Sequence, residues 1–275
     1  MNKPFSYPGR DSVHLSTYLN DLAPELKSMY AFDMLLSGGE ILFLTKGGVG
    51  YARENYIAEM HRFLKRKTSV DIIKTTWAEE FNSTMSRTAF RRLTSWFNTS
   101  NNLLYSNQEC ARLFLLWAST SYTHRYLRRK YFGSYAPKAL NFEHIAECSA
   151  LARQKALFFK KAPGTGLEEF LLGPQTFLYA HLPNSNSASY TGSGFKWDRK
   201  RQEDLVAKLS KLSKAGLRVL VSAKISSRGA ELSRTRALDY LLDAAGLNTK
   251  VSFGDEGFWS NRQIDNSKLV LQSKG

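Results

Sequence analysis

From residue 176 onward the chain alternates between short apolar runs and amphipathic helical segments. That alternation constrains the fold more than any other feature of the sequence. Strands are expected at 176–180, 217–223, 250–253 and 268–272, and helices at 203–215 and 232–245. In the first of these helices Leu205, Val206, Leu209 and Leu212 share one face, while Lys208, Lys211 and Lys214 lie off it. Gly216 and Gly246 stand where helices end in a left-handed residue. Strands separated by helices of this length build a largely parallel sheet, because a parallel return needs a long crossover. The expected fold class is therefore α/β.

The first half is less regular. Ser6 to Ser12 reads as a turn around Pro8-Gly9. Residues 14–29 have near-helical spacing broken by Pro24, and 31–36 reads as a buried strand followed by the Ser37-Gly38-Gly39 turn. A second strand or helix segment runs to Leu44, and Gly47-Gly48 closes that unit. Residues 56–98 read as helical, with basic clusters at 61–67 (HRFLKRK) and at Arg87, Arg91 and Arg92. Half of such runs are simply solvated helix faces. A hydrophobic helix is expected at 109–117, and Trp77, Trp96 and Trp117 are read as core. Residues 123–138 alternate aromatics with Arg125, Arg128, Arg129, Lys130 and Lys138, the pattern of a basic β-hairpin or of an extended basic arm. Residues 142–160 read as helical again. A polar loop covers 184–194.

Charge narrows the function. Lys and Arg number 39 against 24 Asp and Glu, a net charge of +15, which favours a polyanionic partner such as nucleic acid. No apolar run of 18 residues is present, so no membrane span is expected, and the first residues carry no apolar leader-like segment. The two cysteines, Cys110 and Cys148, lie in apolar helical stretches and outside any CxxC pair. His144 sits one turn before Cys148, but two ligands do not make a zinc site, so no metal is expected.

Several segments, taken in order, resemble the DNA adenine-N6 methyltransferases of the Dam-like D12 class. Tyr7-Pro8-Gly9 looks like that family's opening turn. Phe32-Asp33 followed by Ser37-Gly38-Gly39 resembles its glycine turn, and Tyr51-Ala52-Arg53-Glu54-Asn55 resembles the end of its second strand. Glu109 to Pro137 is similar to its target-recognition region. FLYAHLPN, residues 177–184, is similar to the strand ending in the catalytic DPPY. The resemblance implies a Rossmann-like methyltransferase sheet, formed by 1–56 and 140–275, with a helical and basic-hairpin target-recognition insertion over 57–139. It also implies S-adenosylmethionine as donor and a flipped adenine as acceptor.

The departures fall on the chemistry. DPPY becomes His181, Leu182, Pro183 and Asn184. A neutral imidazole has one acceptor and no negative charge, and Asn184 offers no comparable stacking face. Asp11 stands near the opening Lys, Ser37 replaces the first glycine, and Arg53 replaces the ribose-binding acid. Tyr7, Pro8, Gly9, Ser37, Gly38, Gly39 and Arg53 thus mark a cofactor site in position only. The expectation is a catalytically degenerate Dam-like protein without a cofactor. It would bind nucleic acid, duplex DNA first, through Arg87, Arg91, Arg92, Arg125, Arg128, Arg129, Lys130 and Lys138, or serve as a non-catalytic subunit of a DNA- or RNA-processing complex. Two alternatives stand beside it: a divergent but active S-adenosylmethionine-dependent enzyme, and a protein-docking module. The resemblance also carries the expectation of a cytoplasmic protein, in a bacterial host if of phage origin.

Overall fold

Seven strands form one mixed sheet in the computed structural model, which describes residues 14–36, 39–52, 55–99, 105–118, 125–127, 130–132, 140–161, 173, 175–182, 199–225 and 229–262. The strands are β1 (Tyr30–Asp33), β2 (Gly47–Ala52), β5 (Ala156–Lys161), β6 (Thr176–Leu182), β7 (Arg218–Lys224), β8 (Thr249–Phe253) and β9 (Glu256–Ser260). Their order across the sheet is β5-β2-β1-β6-β7-β9-β8. The five strands from β5 to β7 are mutually parallel, and β9 runs antiparallel between β7 and β8. The fold is α/β with a mostly parallel seven-stranded mixed sheet and helices, compatible with a Rossmann-like fold. A separate hairpin pairs β3 (Arg125–Leu127) with β4 (Lys130–Phe132), the first of the two forms expected for this basic segment.

The sheet separates two apolar layers, because successive strand side chains point to opposite faces. Ala31, Phe159, Phe177, Tyr179, Leu220 and Phe258 belong to the larger cluster. It takes in α1 (Leu15–Asp21), α2 (Glu40–Leu44), α3 (Asn55–Leu64), α4 (Ser69–Phe81), α5 (Arg87–Thr99), α6 (Asn107–Ala118) and α7 (Phe142–Gln154). Phe32, Tyr51, Leu178, Ala180, Val221 and Trp259 face the other way, onto α8 (Arg199–Lys214) and α9 (Gly229–Ala244). Trp77 and Trp96 pack partly buried against the larger cluster, as expected of core tryptophans. The Trp117 side chain lies outside the description.

Local signals set the helix starts. Ser106 and Glu109 form a reciprocal capping box at α6: the Ser106 N–H donates to Glu109 Oε2 at 2.8 Å, and the Glu109 N–H donates to Ser106 Oγ at 3.2 Å. Asn141 Oδ1 accepts the His144 N–H at 2.9 Å at the start of α7. Gly216 and Gly246 end α8 and α9 with φ of 89° and 81°.

Two expectations are corrected, and one strand was not expected at all. Gly47-Gly48 opens a strand rather than closing a unit. At Gly48, φ is 141° and a Cβ would lie 1.8 Å from the Ala31 carbonyl oxygen, so only glycine lets β2 pair with β1. The expected helix over 142–160 ends at Gln154, and 156–161 is edge strand β5. A short apolar run such as Ala-Leu-Phe-Phe does not distinguish strand from helix by periodicity. Finally, β9 was not foreseen, although Gly254-Asp255 between two apolar runs is a hairpin signal. The strand expected at 268–272 lies outside the described residues.

The HRFLKRK cluster is built into this architecture. His61 is buried and stacks on Phe159, with ring centroids 4.5 Å apart. Arg62 donates to the Phe159 carbonyl from Nε at 2.9 Å and from a terminal nitrogen at 2.7 Å, and Lys65 donates to the Leu157 carbonyl at 2.6 Å. These carbonyls lie on the outer edge of β5, so Arg62 of α3 and Lys65, just past its end, cover a strand edge that would otherwise invite pairing.

Candidate functional site

In an open α/β sheet, ligands bind beyond the carboxyl ends of the strands where the strand order reverses. Here that point lies between β1 and β6. β1 ends in Asp33, a buried carboxylate whose Oδ1 accepts the Leu35 N–H at 3.1 Å. The Met34 N–H donates to the Tyr179 carbonyl at 2.9 Å, which ties the turn after β1 to β6.

Next to it β6 delivers His181. Tyr179 and His181 share a face of β6, and Ser222 is the register partner of His181 on β7. Ser222 Oγ lies 2.8 Å from His181 Nδ1 and 2.9 Å from Tyr179 Oη. Glu256, the first residue of β9, brings Oε1 to 3.6 Å from the same His181 Nδ1. Its Oε2 accepts the His14 N–H at 3.2 Å, which joins the start of α1 to the cluster. The His14 ring stacks on Phe253, and one turn further on Tyr18 stacks on Phe258. An exposed ion pair, Lys224 to Asp255 at 3.1 Å, stands at the same end of the sheet.

A Ser, a His and a Glu in contact invite comparison with a nucleophilic triad. The geometry rules that chemistry out. Ser222 and Glu256 approach the same ring nitrogen, whereas a triad needs the nucleophile and the acid on opposite nitrogens. Ser222 is also fully buried, out of reach of any substrate.

The other positions singled out by sequence are distributed as follows. Leu182 is buried on the opposite face of the sheet, in the cluster with α8 and α9. Gly39 opens α2 with φ of 75°, and a Cβ there would come 3.0 Å from His61 Cε1, so its glycine serves close packing of α3. Tyr7, Pro8, Gly9, Ser37, Gly38, Arg53, Pro183 and Asn184 lie outside the described residues. Sequence reasoning reached His181 but not the residues around it. Tyr179 could have been read from the two-residue strand period, and Ser222 from in-register pairing of β6 with β7. Glu256 depended on recognising β9.

A second feature is basic. Arg87, Arg91 and Arg92 are exposed on α5, and β4 of the hairpin lies against that helix. Two charge clusters separate in sequence are thereby neighbours. Of the hairpin residues, Arg125 and Lys130 lie in β3 and β4, whereas Arg128, Arg129 and Lys138 lie outside the described residues. Beneath α5, Arg112 of α6 forms a two-pronged pair with Glu80 of α4, at 2.8 Å from both Nε and a terminal nitrogen, and Gln108 donates to the same carboxylate. The Arg112 hydrogen bonds hold the Glu80 carboxyl below its ordinary range; burial opposes this, while Gln108 and the charges of Arg112 and Arg92 assist.

Cys148 Sγ lies 3.6 Å from His144 Nε2, and the His144 ring is 3.8 Å from Glu147. Both cysteines are buried, and burial pushes each thiol up to about 12, so neither is a nucleophile. Among the described residues no group of three or more His, Cys, Asp or Glu could hold a metal ion. No described helix is long and apolar enough to cross a membrane. No protein-family model matches the chain, and no curated protein matches it at a significant level.

Proposed function

We propose that this chain is a catalytically degenerate relative of the Dam-like adenine methyltransferases that binds nucleic acid, duplex DNA first, through α5 and the β3–β4 hairpin. The observation that carries this reading is the contact of β4 with α5, which sets exposed Arg87 and Arg91, one helical turn apart, beside a hairpin of basic sequence. Cations grouped in this way suit phosphate contacts, and the net charge of +15 favours the same class of partner. The methyltransferase part of the reading draws support from the sheet. Counted in chain order its strands run 3-2-1-4-5-7-6, a doubly wound order with the last strand turned back, as in Rossmann-like methyltransferases. This is an analogy of fold, and function is argued from the site. At that site His181 and Leu182 stand where the family has the Asp and first Pro of its motif.

Binding of a labelled duplex, measured at several salt concentrations, tests the reading. Affinity should fall steeply as salt rises, and Arg87→Glu with Arg91→Glu should weaken binding at least about tenfold and flatten the salt slope by about two. A response indifferent to salt, or a double variant that binds like the parent, refutes it.

One observation favours a second reading, a divergent active methyltransferase. The anion missing from position 181 is supplied nearby by Glu256. Calorimetry with S-adenosylmethionine separates the two: donor binding with methyl transfer to DNA would support the enzyme, and no heat would leave the binding protein.

A further inference from the structure

The layer formed by α8 and α9 covers the sheet face opposite the one that carries α5. Val206 and Leu209 of α8 and Leu238 and Leu242 of α9 are buried against the sheet, which fixes the faces these helices turn to water. On α8 that outer face is basic. Lys208, Lys211 and Lys214 are exposed, and at a spacing of three residues they are surface neighbours within one third of the helix circumference. No acid stands between them. The two acids of α8 lie in its first half, where Glu203 pairs with Arg199 at 2.7 Å and Asp204 sits one turn before Lys208. On α9, packed beside α8, the outer stripe carries Arg236, Tyr240 and Asp243. Tyr240 is 80% exposed, a large ring held in water. The helix dipole favours cations in a last turn and so accounts for Lys211 and Lys214. It accounts neither for Lys208 nor for the Tyr240 ring.

We propose that the outer face of α8 and α9 seats a second nucleic-acid backbone, so that one molecule bridges two duplexes, one on α5 and one on α8. The proposal rests on the α5 reading for its first duplex. Phe90 and Leu93 of α5 belong to the apolar layer on the far side of the sheet from α8. A duplex on α5 would have to turn round the whole protein to reach α8, and a persistence length of about 50 nm makes short DNA too stiff for that. The second seat therefore takes a separate duplex. Its cations are lysines, point charges suited to phosphate oxygens, and Tyr240 adds an apolar ring for packing against sugar. Contacts of this kind position a backbone and read no bases, so the second duplex is held whatever its sequence.

Two short duplexes of unrelated sequence test it, one carrying a donor fluorophore and the other an acceptor. With duplex in excess over protein, energy transfer should appear and should fade as salt rises. Lys208→Glu with Lys211→Glu and Lys214→Glu should cut the transfer at least about fivefold, while binding of a single labelled duplex weakens less than about threefold. Sedimentation should find one protein molecule with two duplexes. Transfer that survives the triple variant overturns the proposal, as does a bridged complex that holds two protein copies. A parent protein that binds one duplex and gives no transfer overturns the proposal and leaves the α5 reading standing. A parent that binds no duplex removes both. If the glutamate variant does not fold, glutamine at the same three positions decides by the same loss of transfer.

Discussion

Replacing Ser222 with alanine removes one oxygen atom and two contacts of the buried cluster. His181 Nδ1 loses a partner at 2.8 Å and Tyr179 Oη one at 2.9 Å; Tyr179 is buried and His181 partly so. A buried polar group deprived of its partner costs about 1–3 kcal/mol, so Ser222→Ala should destabilise the fold by about 2–5 kcal/mol. That is a large share of the roughly 5–15 kcal/mol that holds a typical domain together. Tyr179→Phe is milder, at about 1 kcal/mol, because Ser222 keeps His181. In the double variant no tyrosine hydroxyl is left to lose its bond, so the two costs should fall short of adding by about 1–2 kcal/mol. Urea unfolding at pH 7, followed by far-ultraviolet circular dichroism and by tryptophan fluorescence, measures all three variants. The slope m should stay constant if only the native state is affected. A Ser222→Ala cost below about 0.5 kcal/mol, or simple additivity, would refute the claim that these side chains act as one buried network.

Three further outcomes follow from the same structure. Gly48→Ala forces a Cβ to 1.8 Å from the Ala31 oxygen and should prevent soluble folding, whereas Gly216→Ala, with nothing within 4 Å, should fold at a cost of about 1–2 kcal/mol; thermal melts of the two compare them. Cys110 and Cys148, with thiols near 12, should resist a disulfide reagent at pH 8 in the native protein, where roughly one thiol in ten thousand is ionised, and react at once in denaturant. Arg112 lowers the Glu80 pKa in the folded state, so the stability this pair supplies is present above the ordinary carboxylate range and is lost as pH falls through the folded value. The gap in stability between the parent and Arg112→Met should therefore narrow on acidification from pH 6 to pH 3, as read by urea midpoints.

The class of the fold was legible because its signals are local. The period of the apolar residues in α8, the glycines that close α8 and α9, and the apolar run of β6 all depend on residues within a few positions of one another. Where a local signal was ambiguous, the reading failed. β5 has four apolar residues and no turn before it, and was absorbed into the preceding helix. β2 begins with two glycines, which read as a turn until the close approach of the β1 backbone shows why no side chain fits there. The HRFLKRK cluster carried a correct charge count and no information on direction; two of its cations turn out to cap the carbonyls of a strand that the sequence had not revealed.

The candidate site shows the same division more sharply. Sequence alone settled that an imidazole stands at the end of β6 and that the chain carries a large positive charge, since residue identity and strand period are written along the chain. It could not settle what that imidazole meets. Ser222 arrives through the register of β6 with β7, Glu256 through the reversal of β9 between β7 and β8, and the His14 N–H through the docking of α1 across the sheet. Each contact depends on the order and register of strands far apart in the chain, fixed by burial of both sheet faces at once, and no local pattern encodes that.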